Sequence, residues 1–386
     1  GGQSLDGQAG VFYSPQALGG EIAWIFPGSG NHYLGMGREL ATLFPDVASQ
    51  VCSEADLSYQ RFTPWLTQPF RSQRGPGWEQ TALEAIDEDP LAPIFSQVTY
   101  AILSARVLGR FLSKPQAAIG YSLGETAALF AMGAWNDRDG MFHRTKNSPL
   151  FFKQLRGEYE VARQVVRSDS FQWRVAVVNR GQEAVEKGLE EIGSGDLFFL
   201  IVNTPHECVV GGHALSVQKL VEKLGCDAFD LDGVPTVHCA LMHPVEDAYR
   251  ELHRQPTTPP DGLRFYNGHQ AAAYQPDRES AANSITENAL HGFSFPQLIE
   301  AGYADGVRQF VEVGPGGSCA RMIKTILGEK PHWTRSLSLP REGGELLSLL
   351  KVLAGAFVQG QEVDLDPLYF RTQAALAASR PRVQIS

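Results

Sequence analysis

The chain has 386 residues, of which 43% are hydrophobic and 20% are charged, and its formal net charge is −10. This length is typical of two or three domains, or of one large domain with an insertion, and the composition is globular. The acidic balance argues against a broad nucleic-acid surface, and no apolar stretch approaches a transmembrane length, so we expect neither a nucleic-acid partner nor a membrane span.

The cysteines point to a reducing environment. There are five of them, an odd number, and none forms a Cys-x-x-Cys pair. A disulfide scaffold and a structural zinc site are therefore not indicated, and we expect a cytoplasmic location and no metal. The start of the chain has no signal-peptide pattern, and we expect the sequence to be a segment of a longer polypeptide.

The first 150 residues have the pattern of an α/β domain. Short apolar runs at residues 22–26 and 117–119 predict buried strands, and longer apolar runs at 94–111 and 125–134 predict helices. Residues 62–93 are rich in proline, glycine and charge, which indicates a surface excursion.

A different pattern begins near residue 171. Strand-like runs at 171–178 and 228–231 enclose two helical stretches, at 181–192 and 213–224, and two further strands lie between those helices. The order β-α-β-β-α-β is that of the ferredoxin-like, or split βαβ, arrangement. After residue 235 strands and helices alternate again, and a last helix is predicted at Glu345–Val358.

These patterns predict an α/β fold. It consists of a large α/β-hydrolase-like domain with a parallel sheet and an inserted ferredoxin-like (βαββαβ) subdomain. The predicted boundaries are 1–20 for an N-terminal linker, 21–150 and 232–336 for the large α/β subdomain, 151–231 for the small ferredoxin-like subdomain, and 337–386 for a C-terminal linker.

The segment Gly120-Tyr121-Ser122-Leu123-Gly124 matches the pattern G-x-S-x-G. A predicted strand precedes it and an apolar helix follows it, which is the context of a nucleophile elbow. The glycines allow a sharp turn that exposes the Ser122 hydroxyl, and the helix N-terminus places its dipole beside a developing oxyanion. An ordinary serine in a glycine-rich turn is the alternative.

A nucleophilic serine needs a base, and three histidines are candidates. His238 follows the predicted insertion, within an apolar run, and His243 and His291 compete with it. The pattern alone does not choose among them, and a buried structural histidine is a further alternative. The turn Gly28-Ser29-Gly30 lacks the spacing of a phosphate-binding loop, but it can offer a backbone N–H to an oxyanion.

Four separated motifs, taken in order, resemble the malonyl-CoA:acyl carrier protein acyltransferase family. Residues 26–30 are similar to its opening F-P-G-Q-G motif, 120–125 to G-H-S-x-G-E, 234–242 to the segment with the catalytic histidine, and 311–315 to V-E-V-G-P. The resemblance covers roughly residues 20–330. The following segment resembles the linker after such acyltransferase (AT) domains in polyketide and polyunsaturated fatty acid synthases.

The resemblance implies a Ser–His dyad. Ser122 would attack an acyl thioester and His238 would take its proton, while the backbone N–H groups of Ser29 and Leu123 would form the oxyanion hole. Ser29 stands where the family has glutamine, which is tolerable because the contribution is from the main chain. A backbone carbonyl near Asn288 would orient the histidine.

The same resemblance implies the substrates and the partners. Acyl-CoA would be the donor and the phosphopantetheine thiol of an acyl carrier protein the acceptor, with no cofactor bound. The acyl carrier protein and the neighbouring domains of a parent synthase are the expected partners.

One departure concerns the acyl group. Extender-unit transferases pair an arginine with the free carboxylate of malonyl, and here that position falls on Asn147, with Arg144 about one helical turn earlier. Either the acyl group has no free carboxylate, such as acetyl, or Arg144 binds it in a malonyl-selective enzyme; the first is favoured. Val237 and Tyr121 are predicted to line the same pocket.

Two other functions are alternatives. A thioesterase-like serine hydrolase would use the same Ser–His pair with an acidic third member, for which Asp230 or Asp232 can be nominated. A non-catalytic scaffold domain is disfavoured by the intact serine, histidine and glycine turns.

Overall fold

The structure is a computed structural model that describes residues 4–8, 10–66, 75–166, 171–231, 233–339 and 343–369. Parts of several predicted features lie outside these residues. They are Asp232, residues 1–3 and 9 of the predicted N-terminal linker, the middle of the predicted surface excursion at 67–74, residues 167–170 of the predicted small subdomain, and residues 340–342 and 370–386 of the predicted C-terminal linker.

The larger of two main sheets has six strands, and five of them are parallel. In sheet order they are β10 (Ala272–Tyr274), β9 (Arg264–Asn267), β4 (Ala117–Gly120), β3 (Glu21–Phe26), β12 (Val307–Glu312) and β13 (Trp333–Ser336), with β10 antiparallel on its edge. Strands β3, β4 and β12 are almost wholly buried, as in parallel sheets covered on both faces. The predicted mixed α/β architecture with a parallel sheet is confirmed.

The second sheet has five strands. In sheet order they are β11 (Phe293–Ser294), β6 (Leu197–Thr204), β7 (Glu207–His213), β5 (Trp173–Val178) and β8 (Ala228–Asp230). Strands β5 to β8 are joined in the chain order β-α-β-β-α-β and pair antiparallel. Strand β11 comes from a later part of the chain and pairs parallel with β6, so it connects this sheet to the rest of the body.

The helices follow in chain order. They are α1 (Arg38–Leu43), α2 (Pro45–Glu54), α3 (Asp56–Leu66), α4 (Trp78–Asp87), α5 (Ala92–Leu108), α6 (Leu123–Ala131), α7 (Arg138–Lys146), α8 (Glu160–Val165), α9 (Gln182–Ile192), α10 (Ala214–Leu224), α11 (Glu246–His253), α12 (Arg278–His291), α13 (Phe295–Ala304), α14 (Ser318–Leu327) and α15 (Glu345–Val358). A π-helical turn covers Leu150–Gln154, a 3₁₀-helix covers Ala240–Val245, and a hairpin pairs β1 (Leu5–Gln8) with β2 (Val11–Tyr13).

Two predicted irregular segments contain regular structure. The surface excursion holds the end of α3 and all of α4, because its charged residues lie on the exposed side of an amphipathic helix instead of in a loop. The predicted N-terminal linker contains the β1–β2 hairpin. The chain boundaries of the subdomains stay predictions.

Helix α15 is tied to the body by a buried carboxylate, that of Glu345. The hydroxyls of Tyr100 and Tyr33 donate to its Oε1 at 2.7 and 3.1 Å. Three backbone N–H groups at the start of α1 also donate to it, from Gly37, Glu39 and Leu40. A carboxylate is favoured at a helix N-terminus by the free N–H groups and the dipole. Burial nevertheless raises the pKa of Glu345.

We expect Glu345→Ala to lower the free energy of unfolding by about 3 kcal/mol, because several buried donors lose their acceptor. Urea denaturation followed by circular dichroism measures this. Glu362→Ala is the control, since Glu362 is an exposed glutamate in the same part of the chain. Equal stability of the two variants would contradict the role given to Glu345.

Candidate active site

Ser122 lies at a sharp turn between β4 and α6. It is the N-cap of α6, with φ 54° and ψ −120°, a strained conformation for a residue with a side chain. Glycines make the turn possible: a Cβ at Gly120 would lie 2.2 Å from the Glu125 nitrogen, and one at Gly124 would lie 1.9 Å from the Phe26 oxygen. The strand–turn–helix context predicted for a nucleophile elbow is present.

The imidazole of His238 lies against this serine. Its Nε2 is 2.8 Å from Ser122 Oγ, and its Nδ1 is 2.9 Å from the backbone oxygen of Asn288. Because a carbonyl can only accept, Nδ1 carries the hydrogen and Nε2 presents a free lone pair to the serine hydroxyl. The backbone N–H of His238 donates to the Ala289 oxygen at 2.6 Å, so two carbonyls near the end of α12 fix this residue.

The surroundings of His238 keep it neutral. Burial lowers its pKa to about 4, against a partly compensating hydrogen bond to Asn288. The negative end of the α12 dipole lies beside it and would stabilise a transient imidazolium. Of the three candidate histidines the structure brings only His238 to Ser122: the His243 side chain is 56% exposed beside Glu246, and His291 is also exposed.

Ser29 and Leu123 line the same cavity as Ser122. Leu123 is the first residue of α6, so its N–H has no partner within the helix. The turn that carries Ser29 packs closely on the elbow, since a Cβ at Gly28 would lie 2.6 Å from the Tyr121 ring. The two predicted backbone donors are therefore at the walls of one cavity.

A buried carboxyl group, that of Glu125, is hydrogen-bonded to Asn288, whose backbone oxygen contacts His238. It accepts hydrogen bonds from the Ser284 hydroxyl, from Asn288 Nδ2 at 3.3 Å and from the Tyr274 hydroxyl at 3.5 Å. Burial raises its pKa to about 7. Because the Asn288 backbone oxygen holds His238, Glu125 fixes the residue that orients the imidazole.

The cavity beside Ser122 has a volume of about 230 Å³. Its walls are mainly apolar and include Phe95, Val98, Phe130, Met141, Phe151 and Leu252. Tyr121 and Val237 also line it, and their role in binding substrate stays a prediction. The Tyr121 hydroxyl donates to Asn203 Oδ1 at 2.6 Å, which fixes the ring beside the elbow.

The prediction that Asn147 and Arg144 line the acyl pocket is wrong. Both are exposed, and neither lies at the cavity wall, where α7 instead presents Met141 and Thr145. The reason is the rotation of α7: its buried face carries Arg138, Met141, Phe142 and Thr145, and Arg144 and Asn147, three residues apart, lie on a different side of the helix. The Arg144 guanidinium lies 3.7 Å from Asp137, outside the cavity.

Two other arginines do line the cavity. Arg138 is 3% exposed, donates to the Val51 oxygen at 2.7 Å and lies 3.7 Å from Glu54. Arg156 donates to the Pro90 oxygen at 3.2 Å. Within the part of the chain that the structure describes, no carboxylate forms an ion pair with Arg156. No sequence motif distinguishes either residue from a surface arginine.

Asp230, one of two acids nominated for a hydrolase triad, does not contact His238. It lies on the edge strand β8 and pairs with Arg174 at 2.9 Å. The Nδ1 position of His238 is instead occupied by the Asn288 carbonyl. Among the described residues there is no group of three or more His, Cys, Asp and Glu side chains placed to hold a metal, and no helix long and apolar enough to cross a membrane.

Two polar residues of the site, Gln97 and Asn203, belong to no recognised motif. Glu125 is the last residue of the motif at 120–125, but the motif predicted no role for its side chain. Gln97 is buried in α5 and donates to the backbone of the turn before Ser29. Gln97 is the one amide side chain in the mainly apolar helix α5, and this sequence feature could have identified it as a candidate site residue. Asn203 follows a predicted strand, and its role depends on Tyr121, which is distant in sequence.

Comparisons with known proteins place these features in a wider context. No protein-family model matches the chain. It is 25% identical over 373 residues to polyketide synthase GfsB of Streptomyces halstedii, covering 92% of this chain but only 6% of the synthase. It is 24% identical over 316 residues to the malonyl CoA-acyl carrier protein transacylase of Bacillus subtilis, covering 79% of this chain and 90% of the transacylase. It is 22% identical over 389 residues to a polyunsaturated fatty acid synthase polypeptide of Thraustochytrium, covering 94% of this chain and 18% of that polypeptide.

Solved structures show the same fold. The acyltransferase domain from the second module of the salinomycin polyketide synthase superposes with a TM-score of 0.69 at 20% identity, covering 95% of this chain and 79% of that one. A malonyl-transacylase in complex with a type II polyketide synthase acyl-carrier protein gives a TM-score of 0.67 at 21% identity, covering 86% and 99%. The resemblance drawn from the four motifs is confirmed: the homologues and structural neighbours of this chain are malonyl-CoA:acyl carrier protein transacylases and acyltransferase domains of polyketide and polyunsaturated fatty acid synthases.

Proposed function

We propose that the chain is an acyltransferase domain that moves an acyl group from CoA, through Ser122, to the phosphopantetheine thiol of an acyl carrier protein. The observation that carries this proposal is the 2.8 Å contact between Ser122 Oγ and His238 Nε2 at a nucleophile elbow. The transacylase neighbour solved with its acyl-carrier protein supports the acceptor. The polyketide synthase relatives support neighbouring synthase domains as partners.

In the first half-reaction Ser122 Oγ attacks the thioester carbonyl, and its proton passes to His238 Nε2. The carbonyl oxygen becomes an oxyanion that accepts from the backbone N–H groups of Ser29 and Leu123. When the tetrahedral intermediate collapses, the C–S bond breaks and His238 returns the proton to the departing CoA thiolate. The product is an acyl ester on Ser122.

The second half-reaction reverses these steps with a new thiol. His238 takes the proton of the phosphopantetheine thiol, and the thiolate attacks the acyl ester on Ser122. The C–O bond then breaks, Ser122 recovers its proton from His238, and the acyl group leaves on the carrier. The nearly complete burial of His238, at 6% exposure, supports transfer to a thiol over hydrolysis by water.

The proposal includes the predicted two-subdomain organisation. The inserted unit at 151–231 would be the ferredoxin-like subdomain, which the strand order β8-β5-β7-β6 and the chain order β-α-β-β-α-β support. The remaining body would be the α/β-hydrolase-like catalytic subdomain, supported by the elbow at the carboxyl end of β4.

We further propose that the acyl group has no free carboxylate. The mainly apolar cavity walls and the exclusion of Arg144 and Asn147 from the cavity support this. The volume of about 230 Å³ exceeds what an acetyl group needs, since one water-sized group takes about 30 Å³. Longer uncharged acyl chains therefore fit as well. The malonyl-selective alternative now depends on Arg156.

Ser122→Ala should abolish formation of an acyl-enzyme, and His238→Ala should slow it by about 100-fold or more, because nucleophile and base act together. Intact-protein mass spectrometry after exposure to a panel of acyl-CoAs measures this. His243→Ala is the control and should load normally. Rapid release of free acid by the unaltered protein would favour a thioesterase instead.

The loading rate should stay high on acidification and fall to half near pH 4, because burial lowers the pKa of His238 to about 4 and only its neutral form accepts the serine proton. Single-turnover loading across the pH range measures the midpoint, with circular dichroism at each pH to exclude unfolding. A midpoint near the ordinary histidine value of about 6.5 would contradict the assignment.

Acetyl-CoA and longer uncharged acyl-CoAs should load Ser122 faster than malonyl-CoA, because an unpaired buried carboxylate costs several kcal/mol. Arg144→Ala and Asn147→Arg should leave the ratio of the two rates unchanged, since both positions lie outside the cavity. Competition between labelled acyl-CoAs measures the ratio. Fast malonyl loading that is lost in Arg156→Ala would establish the alternative.

A further inference from the structure

Gln97 clamps the turn that carries the predicted oxyanion donor Ser29. It is 1% exposed, near the start of α5. Its Nε2 lies 2.7 Å from the backbone oxygen of Pro27 and 2.6 Å from that of Gly28. The two amide hydrogens of Gln97 are thus donated to two successive backbone carbonyls. Asn31 Nδ2 adds a second bond to the Gly28 oxygen, at 2.9 Å.

These bonds set the direction of the Ser29 N–H. In a trans peptide the N–H points opposite to the C=O of the same peptide plane, and none of the described peptide bonds is cis. The Gly28 carbonyl points at Gln97 and Asn31, so the N–H of Ser29 points away from them. The Pro27 carbonyl likewise turns the Gly28 N–H away. Successive N–H groups turned to one side form a concavity suited to an anion.

The backbone that forms this concavity packs tightly against the turn around Ser122 and cannot move toward it. A Cβ at Gly28 would lie 2.8 Å from the Tyr121 oxygen, and one at Gly124 would lie 3.0 Å from the Pro27 oxygen. The turn is therefore held between Gln97 on one side and the backbone around Ser122 on the other. Rotation of the Gly28–Ser29 peptide would break two buried hydrogen bonds at once.

We propose that Gln97 is a positioning residue for acyl transfer, which acts by fixing the peptide plane whose N–H receives the thioester oxyanion. This rests on the proposed function. Gln97 does not touch the substrate, and its effect reaches the reaction only through the Ser29 N–H. Catalysis by such donors requires that they already point at the oxyanion when it forms.

The amide that holds the turn comes from a different part of the chain. Residue 29 is a serine and adds no amide side chain to the turn, and the buried amide that donates to the Pro27 and Gly28 oxygens belongs to Gln97 in α5. The Oε1 atom of Gln97 has no hydrogen-bond partner among the described residues, so the side chain holds the turn through its donor group alone.

The test compares Gln97→Met with Gln309→Met. Gln309 is a matched control: it is also fully buried, its Nε2 also bridges two backbone oxygens, those of Gly19 and Gln359 at 3.1 and 3.2 Å, and its Oε1 also lacks a partner among the described residues. Gln97→Met should lower the single-turnover loading rate by about tenfold to a hundredfold, with little change in KM for acyl-CoA. Gln309→Met should load at the normal rate once folded.

Equal loading rates in the two variants would overturn the proposal, as would a loss in Gln97→Met that appears only in KM. A second readout is the rate at which a fluorophosphonate labels Ser122, since its phosphoryl oxygen needs the same N–H donors. If the unaltered protein labels with this probe but accepts no acyl-CoA, the proposed function fails, and the labelling rates of the two variants still decide the role of Gln97.

Gln97→Glu keeps the proposal testable if Gln97→Met does not fold. Burial against two carbonyls would raise the pKa of the new carboxyl group; its charged form, which grows as the pH rises, has no hydrogen to donate, and its protonated form has one. The loading rate relative to the unaltered protein at the same pH should therefore rise as the pH falls. A ratio that does not change with pH would count against the clamp.

Discussion

The site depends on close contact between two turns that leave neighbouring parallel strands. Strands β3 and β4 pair from Ala23 to Phe26, and the chain leaves both at the same sheet edge. Glycines at 28, 120 and 124 let the two backbones approach closer than any side chain allows. This contact places Ser122, Ser29 and Leu123 around one cavity. The turn after β3 contributes Ser29 and the turn after β4 contributes Ser122 and Leu123, so neither turn alone forms this part of the cavity wall.

His238, which contacts Ser122, is held by backbone carbonyls from a distant part of the chain. The backbone N–H and the Nδ1–H of His238 both donate to carbonyl oxygens near the end of α12. Glu125 in turn accepts a hydrogen bond from the side chain of Asn288. Helix termini leave carbonyls free, and here those carbonyls bind a histidine instead of water. The arrangement orients the imidazole without an acidic partner, which distinguishes it from a Ser-His-Asp triad.

The wall of the cavity beside Ser122 depends on which face of α7 points inward. Met141 and Thr145 lie on that face, whereas Asn147 lies on the opposite side and faces solvent, although its sequence spacing from Ser122 matches the carboxylate-binding position of extender-unit transferases. The wall is then formed by Met141 and Thr145 and by apolar side chains of other helices. The sequence spacing alone does not determine which side chains of a helix face the cavity, because the rotation of the helix is set by its packing.

The sequence by itself determined the α/β class, the β-α-β-β-α-β order of the inserted unit and the elbow around Ser122, because alternation, helical spacing and glycine turns are local properties of the chain. Four motifs in it also carried the family resemblance. Only the tertiary structure chose His238 over His243 and His291, excluded Arg144 and Asn147 from the cavity, and brought Gln97 to the turn before Ser29. Each of these depends on residues far apart in sequence, and long-range packing, which no local pattern encodes, brings them into contact.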